Sequence, residues 1–203
     1  MSDLKKRTAY FKTQLNTREE AGGGKYIEGY CIVYNAETKI TEGYYEQIAP
    51  GAADKSIREN DIRCLLNHNA DIVLGRNRAS TLKLTSDEKG VFASCRVNEN
   101  DTEAMNAYAR VSRGDVGGWS FGFYPISESY TEKDGDFHYT VEELDMSEVS
   151  VCTFPAYKQT DISARSEMCR KNKEKEALQR KAALKKRLED LKNVKTTEAQ
   201  CAD

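Results

Sequence analysis

Three residues in this chain have the chemistry that acyl transfer needs: His68, Ser120 and Glu148. A hydroxyl is a weak nucleophile until a base takes its proton, and an imidazole serves as that base when a third group fixes its tautomer. Ser120 lies in Gly117-Gly118-Trp119-Ser120-Phe121-Gly122-Phe123. Strand alternation puts Trp119, Phe121 and Phe123 on one face and Ser120 and Gly122 on the other, so the hydroxyl is expected on a face cleared of bulk, open to a substrate backbone. His68 closes the run Ile62-Arg63-Cys64-Leu65-Leu66-Asn67-His68. As the end of a period-2 strand it would share a face with Ile62, Cys64 and Leu66, placing an imidazole at the rim of an apolar pocket. Glu148 falls with Ser150 and Cys152 on one side of a strand whose other side carries Val149 and Val151. An acid in so buriable a strand needs a partner.

Taken singly, each residue has a plainer reading: a structural histidine, a glycine-rich strand packed tightly, an acid paired with Lys or Arg. Together they supply a nucleophile, a base and an orienting acid, in the order His68, Ser120, Glu148 and separated by 52 and 28 residues. Asp145 stands behind Glu148 as the alternative third member. Gly118-Trp119-Ser120-Phe121-Gly122 matches the string of the hydrolase nucleophile elbow, yet Phe123-Tyr124-Pro125-Ile126 continues it as strand and not as helix, which excludes that motif.

The elements that must position these groups are mostly short strands. The pattern predicts strands at Tyr10 to Arg18 and Tyr26 to Tyr34, joined by the loop Ala21-Gly22-Gly23-Gly24. Further strands are predicted at Ile62 to His68, Thr81 to Leu84, Gly90 to Val97, Trp119 to Ser127, Phe137 to Val141 and Ser147 to Phe154. A helix is predicted between Val97 and Trp119, with Asn100 as its cap, Glu103 three residues on, Met105, Tyr108 and Val111 on one face and Gly114 closing it. A shorter helical turn is expected at Asp54 to Glu59. The balance is an α+β class: a strand-rich small barrel or folded sheet with one or two packed helices, plus a C-terminal basic helical tail.

Composition bounds the rest. The chain has 203 residues, 38% apolar and 32% charged, with a formal net charge of -2, and its mean hydropathy is -0.74. That length suits one domain and an appendage, assigned as residues 1–164 and 165–203. The small net charge conceals an asymmetry: Arg165 to Lys195 carries +7, residues 1–164 carry -7, and Glu198 and Asp203 make up the balance. From Ser166 to Val194 the tail has no Gly or Pro, and Ala177, Leu184 and Leu191 recur seven apart with Leu188 beside them, predicting a basic helix with a thin apolar seam.

No apolar run approaches the roughly 20 residues of a bilayer span. The opening MSDLKKRTAYFKTQ has no apolar stretch behind its basic residues, so the expectation is a cytoplasmic protein without a signal peptide. Among the six cysteines no two form a C-x-x-C pair; Cys31, Cys64, Cys95 and Cys152 sit in apolar runs and read as buried thiols, while Cys169 and Cys201 read as exposed. With two histidines and no Cys/His cluster at ligand spacing, neither a metal nor a cofactor is expected.

Five segments in order carry a resemblance: Ile27-Glu28-Gly29-Tyr30 leading to Val33-Tyr34-Asn35; Tyr45 to Ala52; Leu66-Asn67-His68-Asn69 with Val73-Leu74-Gly75-Arg76; Trp119-Ser120-Phe121-Gly122-Phe123; and Glu148-Val149-Ser150-Val151 with Pro155-Ala156. Across about residues 10 to 163 the chain resembles the prohead maturation serine proteases of tailed bacteriophages, whose fold is similar to that of the herpesvirus assembly proteases. The resemblance implies Ser120 as nucleophile, His68 as general base and Glu148 as third member. It implies a serine endopeptidase, acting inside the immature capsid in the bacterial cytoplasm, that cuts scaffolding or major capsid protein and its own tail; the abrupt shift from strand-like to helix-like composition puts the expected self-cut near Ala164 to Arg170. A homo-oligomer is expected, with no membrane partner. Trp119 and Asn69 depart from the family pattern as small apolar and acidic positions respectively, which bears on substrate preference.

Competing readings are a catalytically inactive capsid-assembly or scaffolding protein, an esterase or other serine hydrolase, which the absence of a βαβ rhythm disfavours, and nucleic-acid binding through the basic tail, which a body of -7 disfavours.

Overall fold

A computed structural model describes residues 6–11, 15–21, 23–154, 171, 174–175 and 177–187. The chain divides into two compact units, Met1–Ile162 and Ser163–Asp203. In the second, residues 177–187 are helical with exposed side chains. Apart from residues 171 and 174–175, the rest of the predicted tail helix lies outside the described residues, as do the expected cleavage region, Pro155-Ala156, Cys169 and Cys201.

The first unit is strand-rich α+β, built on two sheets. One contains β1 (Arg7–Phe11), β4 (Thr38–Thr41), β5 (Tyr44–Ile48), β6 (Arg63–Leu66), β7 (Asn69–Arg76), β10 (Gly118–Lys133) and β11 (Asp136–Cys152). Its order is β1-β10-β11-β5-β4, and β6 with β7 branches from β11. The other contains β2 (Asn16–Glu19), β3 (Lys25–Val33), β8 (Leu82–Ser86) and β9 (Gly90–Val97), in the order β2-β3-β9-β8. The helices are α1 (Asp54–Glu59) and α2 (Thr102–Arg113), with a short 3-10 turn at Asn77–Ala79.

The core lies between the sheets, and alternation decides who enters it. Trp119, Phe121 and Phe123 of β10 are fully buried against Val149, Val151 and Met146 of β11. Ile27, Cys31, Ile32, Val91, Ala93 and Cys95 of β3 and β9 complete the cluster. Each large side chain removed from water there contributes about 1.5–3 kcal/mol. α2 lays Ala104, Ala107, Tyr108 and Val111 into the same core.

Several boundaries differ from the sequence reading, each for a local reason. The predicted strand Tyr10 to Arg18 is split, β1 and β2 belonging to different sheets. Phe137 to Val141 and the predicted strand from Ser147, which stops at Cys152 and not Phe154, belong to one strand, β11, because β-bulges absorb the break in alternation between them. The helix cap is Asp101 in place of Asn100: its carboxylate accepts from the backbone N–H of Glu103 at 2.9 Å and of Ala104 at 3.3 Å. Gly114 closes the helix at φ 88°, a conformation that favours glycine. β4, β5 and β7 had no place among the predicted strands.

The largest difference concerns His68. β6 stops at Leu66, and Asn67 and His68 form the two-residue turn into β7 at φ 52° and 59°. His68 therefore does not extend the alternating face of Cys64 and Leu66. Two positive φ values between paired strands are the signature of a tight hairpin whose twist matches its strands, and Asn is among the residues that accept them.

Candidate active site

β11 is the strand on which the site is built. It pairs antiparallel with β10 and, along successive stretches, parallel with β5 and then β6. Ser120 is opposite Ser150, Gly122 opposite Glu148, and Glu148 is flanked by Arg63 of β6. Between Gly122 and Phe123 the register slips by one residue, leaving Ser147 as the extra residue of a bulge. Strict alternation from Leu144 and Met146 would have sent Glu148 into the core. The bulge resets the phase, so that Val149 and Val151 face inward and Glu148, Ser150 and Cys152 share the face of Ser120 and Gly122. This is the facing that the sequence pattern predicted for these residues.

α1 anchors the approach to the bulge. Ser56 Oγ donates to the carbonyl of Leu144 at 2.6 Å and accepts from the N–H of Met146 at 3.0 Å. Asn60 donates to the carbonyl of Met146 at 3.0 Å and to the carboxylate of Asp145. Asp145, the alternative third member, is thus engaged with α1, and its hydrogen bond does not go to His68.

Glu148 meets His68. His68 Nδ1 is 2.7 Å from Glu148 Oε1, with side-chain exposures of 7% and 6%, so the pair is shielded from solvent. Glu148 Oε2 accepts from Ser150 Oγ at 2.6 Å. The turn that carries His68 is tied to the end of β11: the N–H of Asn67 donates to the carbonyl of Val151, and Asn67 Oδ1 accepts from the N–H of Thr153, both at 2.9 Å. A carboxylate can only accept, so in the neutral form of the imidazole the proton is on Nδ1 and the lone pair on Nε2. Nε2 is buried with no hydrogen-bond partner among the described residues. A bare acceptor of that kind costs about 1–3 kcal/mol, and it is what a proton-abstracting base requires.

Ser120 is fully buried, and its Oγ donates to the carbonyl of Ala9 in β1 at 2.9 Å. The hydroxyl and His68 Nε2 are not hydrogen-bonded to each other. Transfer of the serine proton to the histidine needs the hydroxyl to release Ala9. Gly122, expected to admit a substrate, instead admits the acid: a Cβ there would lie 2.5 Å from Glu148 Oε1 and 2.7 Å from Lys6 Cε. The Cys152 thiol is pushed up to about 12 by burial, with the charge of Glu148 adding to it, so it stays protonated beside Ser120.

The second histidine makes a similar pair: His138 Nδ1 is 2.7 Å from Glu37 Oε1, and its ring stacks on Tyr45 at 4.8 Å. That pair is 24% and 42% exposed and more strongly screened. Among the described residues no group of three or more His, Cys, Asp or Glu could hold a metal ion, and no helix is long and apolar enough to cross a membrane.

Sequence reasoning put Ser150 on the face of Glu148 without giving it a role, and missed Asn67 and Ala9 as neighbours of the site. For Asn67 the signal was present, an Asn between two strand-like runs. For Ala9 there was none, since a backbone carbonyl carries no sequence mark.

The family model of the caudovirus prohead serine protease matches residues 12–175. Over 168 residues the chain is 27% identical to the prohead protease of Enterobacteria phage HK97, spanning 81% of this chain and 70% of that one. Among solved structures, the bacteriophage T4 capsid assembly protease gp21 matches with a TM-score of 0.51 at 13% identity, covering 72% of this chain and 96% of that one. At that identity the likeness is one of fold.

Proposed function

The chain belongs to the caudovirus prohead serine protease family, and we propose that it is an active endopeptidase in which Ser120 is the nucleophile, His68 the general base and Glu148 the group that orients the base. The observation that carries this reading is the buried His68–Glu148 pair, with Nε2 unpartnered, on the sheet whose β10 presents Ser120. In the reaction, Ser120 Oγ attacks a peptide carbonyl while His68 Nε2 takes its proton. The protonated histidine then gives that proton to the leaving amine as the C–N bond breaks. Water, deprotonated by His68, hydrolyses the acyl-enzyme and frees Ser120. A positioned base contributes about 10²- to 10⁴-fold. Throughout, Glu148 faces the imidazolium and offsets its charge.

The substrates that follow from the family are scaffolding or capsid-protein segments within the prohead. The tail is read as a basic helical extension that docks on such a partner and is itself cut near Ala164 to Arg170. Residues 177–187 support the docking role, with five Lys or Arg, no acid and exposed Leu178 and Leu184. One observation favours a second reading, an inactive assembly protein: Ser120 bonds Ala9 and not His68.

Co-expression with the capsid protein, followed by intact-mass measurement of both chains, separates the two. Truncation of the capsid protein and of the tail by wild type, with neither truncated alongside Ser120→Ala, is the expected result. Identical masses in assembled particles would establish the assembly role.

A further inference from the structure

We propose that Ser150 is a positioning residue that holds Glu148 on His68, an inference that rests on the catalytic reading above. Glu148 has two oxygens to place. Oε1 faces His68 Nδ1 at 2.7 Å, and Oε2 accepts from Ser150 Oγ at 2.6 Å. The terminal torsion of a glutamate is broad and roughly two-fold, so one hydrogen bond does not fix the plane of its carboxylate. Two bonds in different directions do. Gly122 closes a third side, since a Cβ there would lie 2.5 Å from Oε1. Without the Ser150 donor, Oε2 would be a buried carboxylate oxygen with no partner among the described hydrogen bonds, and the carboxylate would turn to find one.

The position of Ser150 admits no simpler employment. It is fully buried, and it shares a strand face with Glu148 two residues away. It lies directly across from Ser120, yet its hydroxyl donates to the carboxylate. The residue opposite the nucleophile therefore acts on the histidine through the acid. Lys6 and Arg63 also approach this face, but neither forms an ion pair with Glu148: Arg63 is engaged by Asp61, and the Lys6 stem lies over Gly122.

The test needs a probe of serine activation that is independent of the natural substrate. A fluorophosphonate serves: Ser120 Oγ forms the O–P bond, fluoride leaves with the P–F electrons, and His68 receives the serine proton. The second-order labelling rate of the full chain is measured for Ser150→Thr and Ser150→Val, two side chains of the same shape that differ by the hydroxyl. Thermal unfolding of each is recorded alongside. Loss of a hydrogen bond to a charged group predicts that Ser150→Val labels roughly 10- to 100-fold more slowly than Ser150→Thr. In a Glu148→Ala background, which leaves the hydroxyl no group at 148 to hold, the two should differ by less than about twofold, because the effect passes through the carboxylate. Equal rates for the two variants overturn the proposal, and so does the same loss in both backgrounds, which would mark Ser150 as a packing residue. A Ser120→Ala chain that labels as fast as wild type, or a wild type that takes no label, overturns the catalytic reading itself. An unlabelled Ser120→Ala chain beside equal Ser150 variants overturns this proposal alone.

Discussion

At the scale of single residues, the site depends on an atom that is missing. Gly122 has no Cβ, and the carboxylate of Glu148 occupies that space. Of the two neighbours a methyl group would meet, the Lys6 stem can swing away. Glu148 cannot, without surrendering His68 or Ser150. Gly122→Ala is therefore expected to slow fluorophosphonate labelling at least about tenfold, the scale of one charged hydrogen bond, and shortening Lys6 to Ala in the same chain should not restore it. Recovery in that double variant would show Lys6 to be the clash that matters. The same glycine shows what a sequence can and cannot disclose. Its presence beside Ser120 was legible, and so was the facing of Ser120 and Glu148, because period-2 alternation is a local property. Its purpose was not, because the group that fills its space lies 26 residues further on in another strand. The bond from Ser150 to Glu148 escaped notice for a related reason: a serine in a strand looks the same whether it meets solvent, backbone or an acid.

At the scale of elements, the turn between β6 and β7 delivers the imidazole. Its two positive φ values are uncommon for residues with side chains, and Asn67 secures them through Val151 and Thr153. In Asn67→Ala the left-handed backbone loses a residue that tolerates it, at a cost of about 1–2 kcal/mol, and the side-chain tie to β11 is lost as well. The expected outcome is a lower unfolding temperature together with slower labelling of Ser120. A drop in stability with full labelling would mean that the hairpin alone places His68. Strand identity was largely legible: β3, β8 and β9 fall where alternation put them within a few residues, β10 starts where predicted but runs six residues past Ser127, and α1 coincides with its predicted span. The shift from Asn100 to Asp101 as helix cap reflects two adjacent residues with equally suitable side chains, between which backbone geometry chooses. The merger of two predicted strands into β11 was not legible, since a bulge interrupts alternation in the same way that a loop does.

At the scale of the whole molecule, an acidic first unit holds its carboxylates with arginines. Asp61, where the chain enters β6, accepts from Arg76 at 2.7 and 2.6 Å and from Arg63 at 3.1 Å. Foremost the Arg76 hydrogen bond holds its carboxyl down at about 2, from an ordinary value of 3.8. A carboxylate lowered on folding adds stability above its unfolded value and loses it as pH falls toward the folded one. Between about pH 4 and pH 2, then, wild type should lose stability more steeply than Asp61→Asn in acid-unfolding titrations, by an amount that added salt reduces because the group is exposed. Equal slopes would show that the arginines do not hold Asp61 in solution. The strand at the centre of the first unit has one more consequence. A polypeptide emerges from the ribosome amino terminus first, and β11 is the last strand of the sheet to be made. Until residue 152 is free, β5, β6 and β10 have no common neighbour, and His68 has no carboxylate to hold its Nδ1. In a chain assembled in this order, the pairing of His68 with Glu148 waits until most of the first unit has been made.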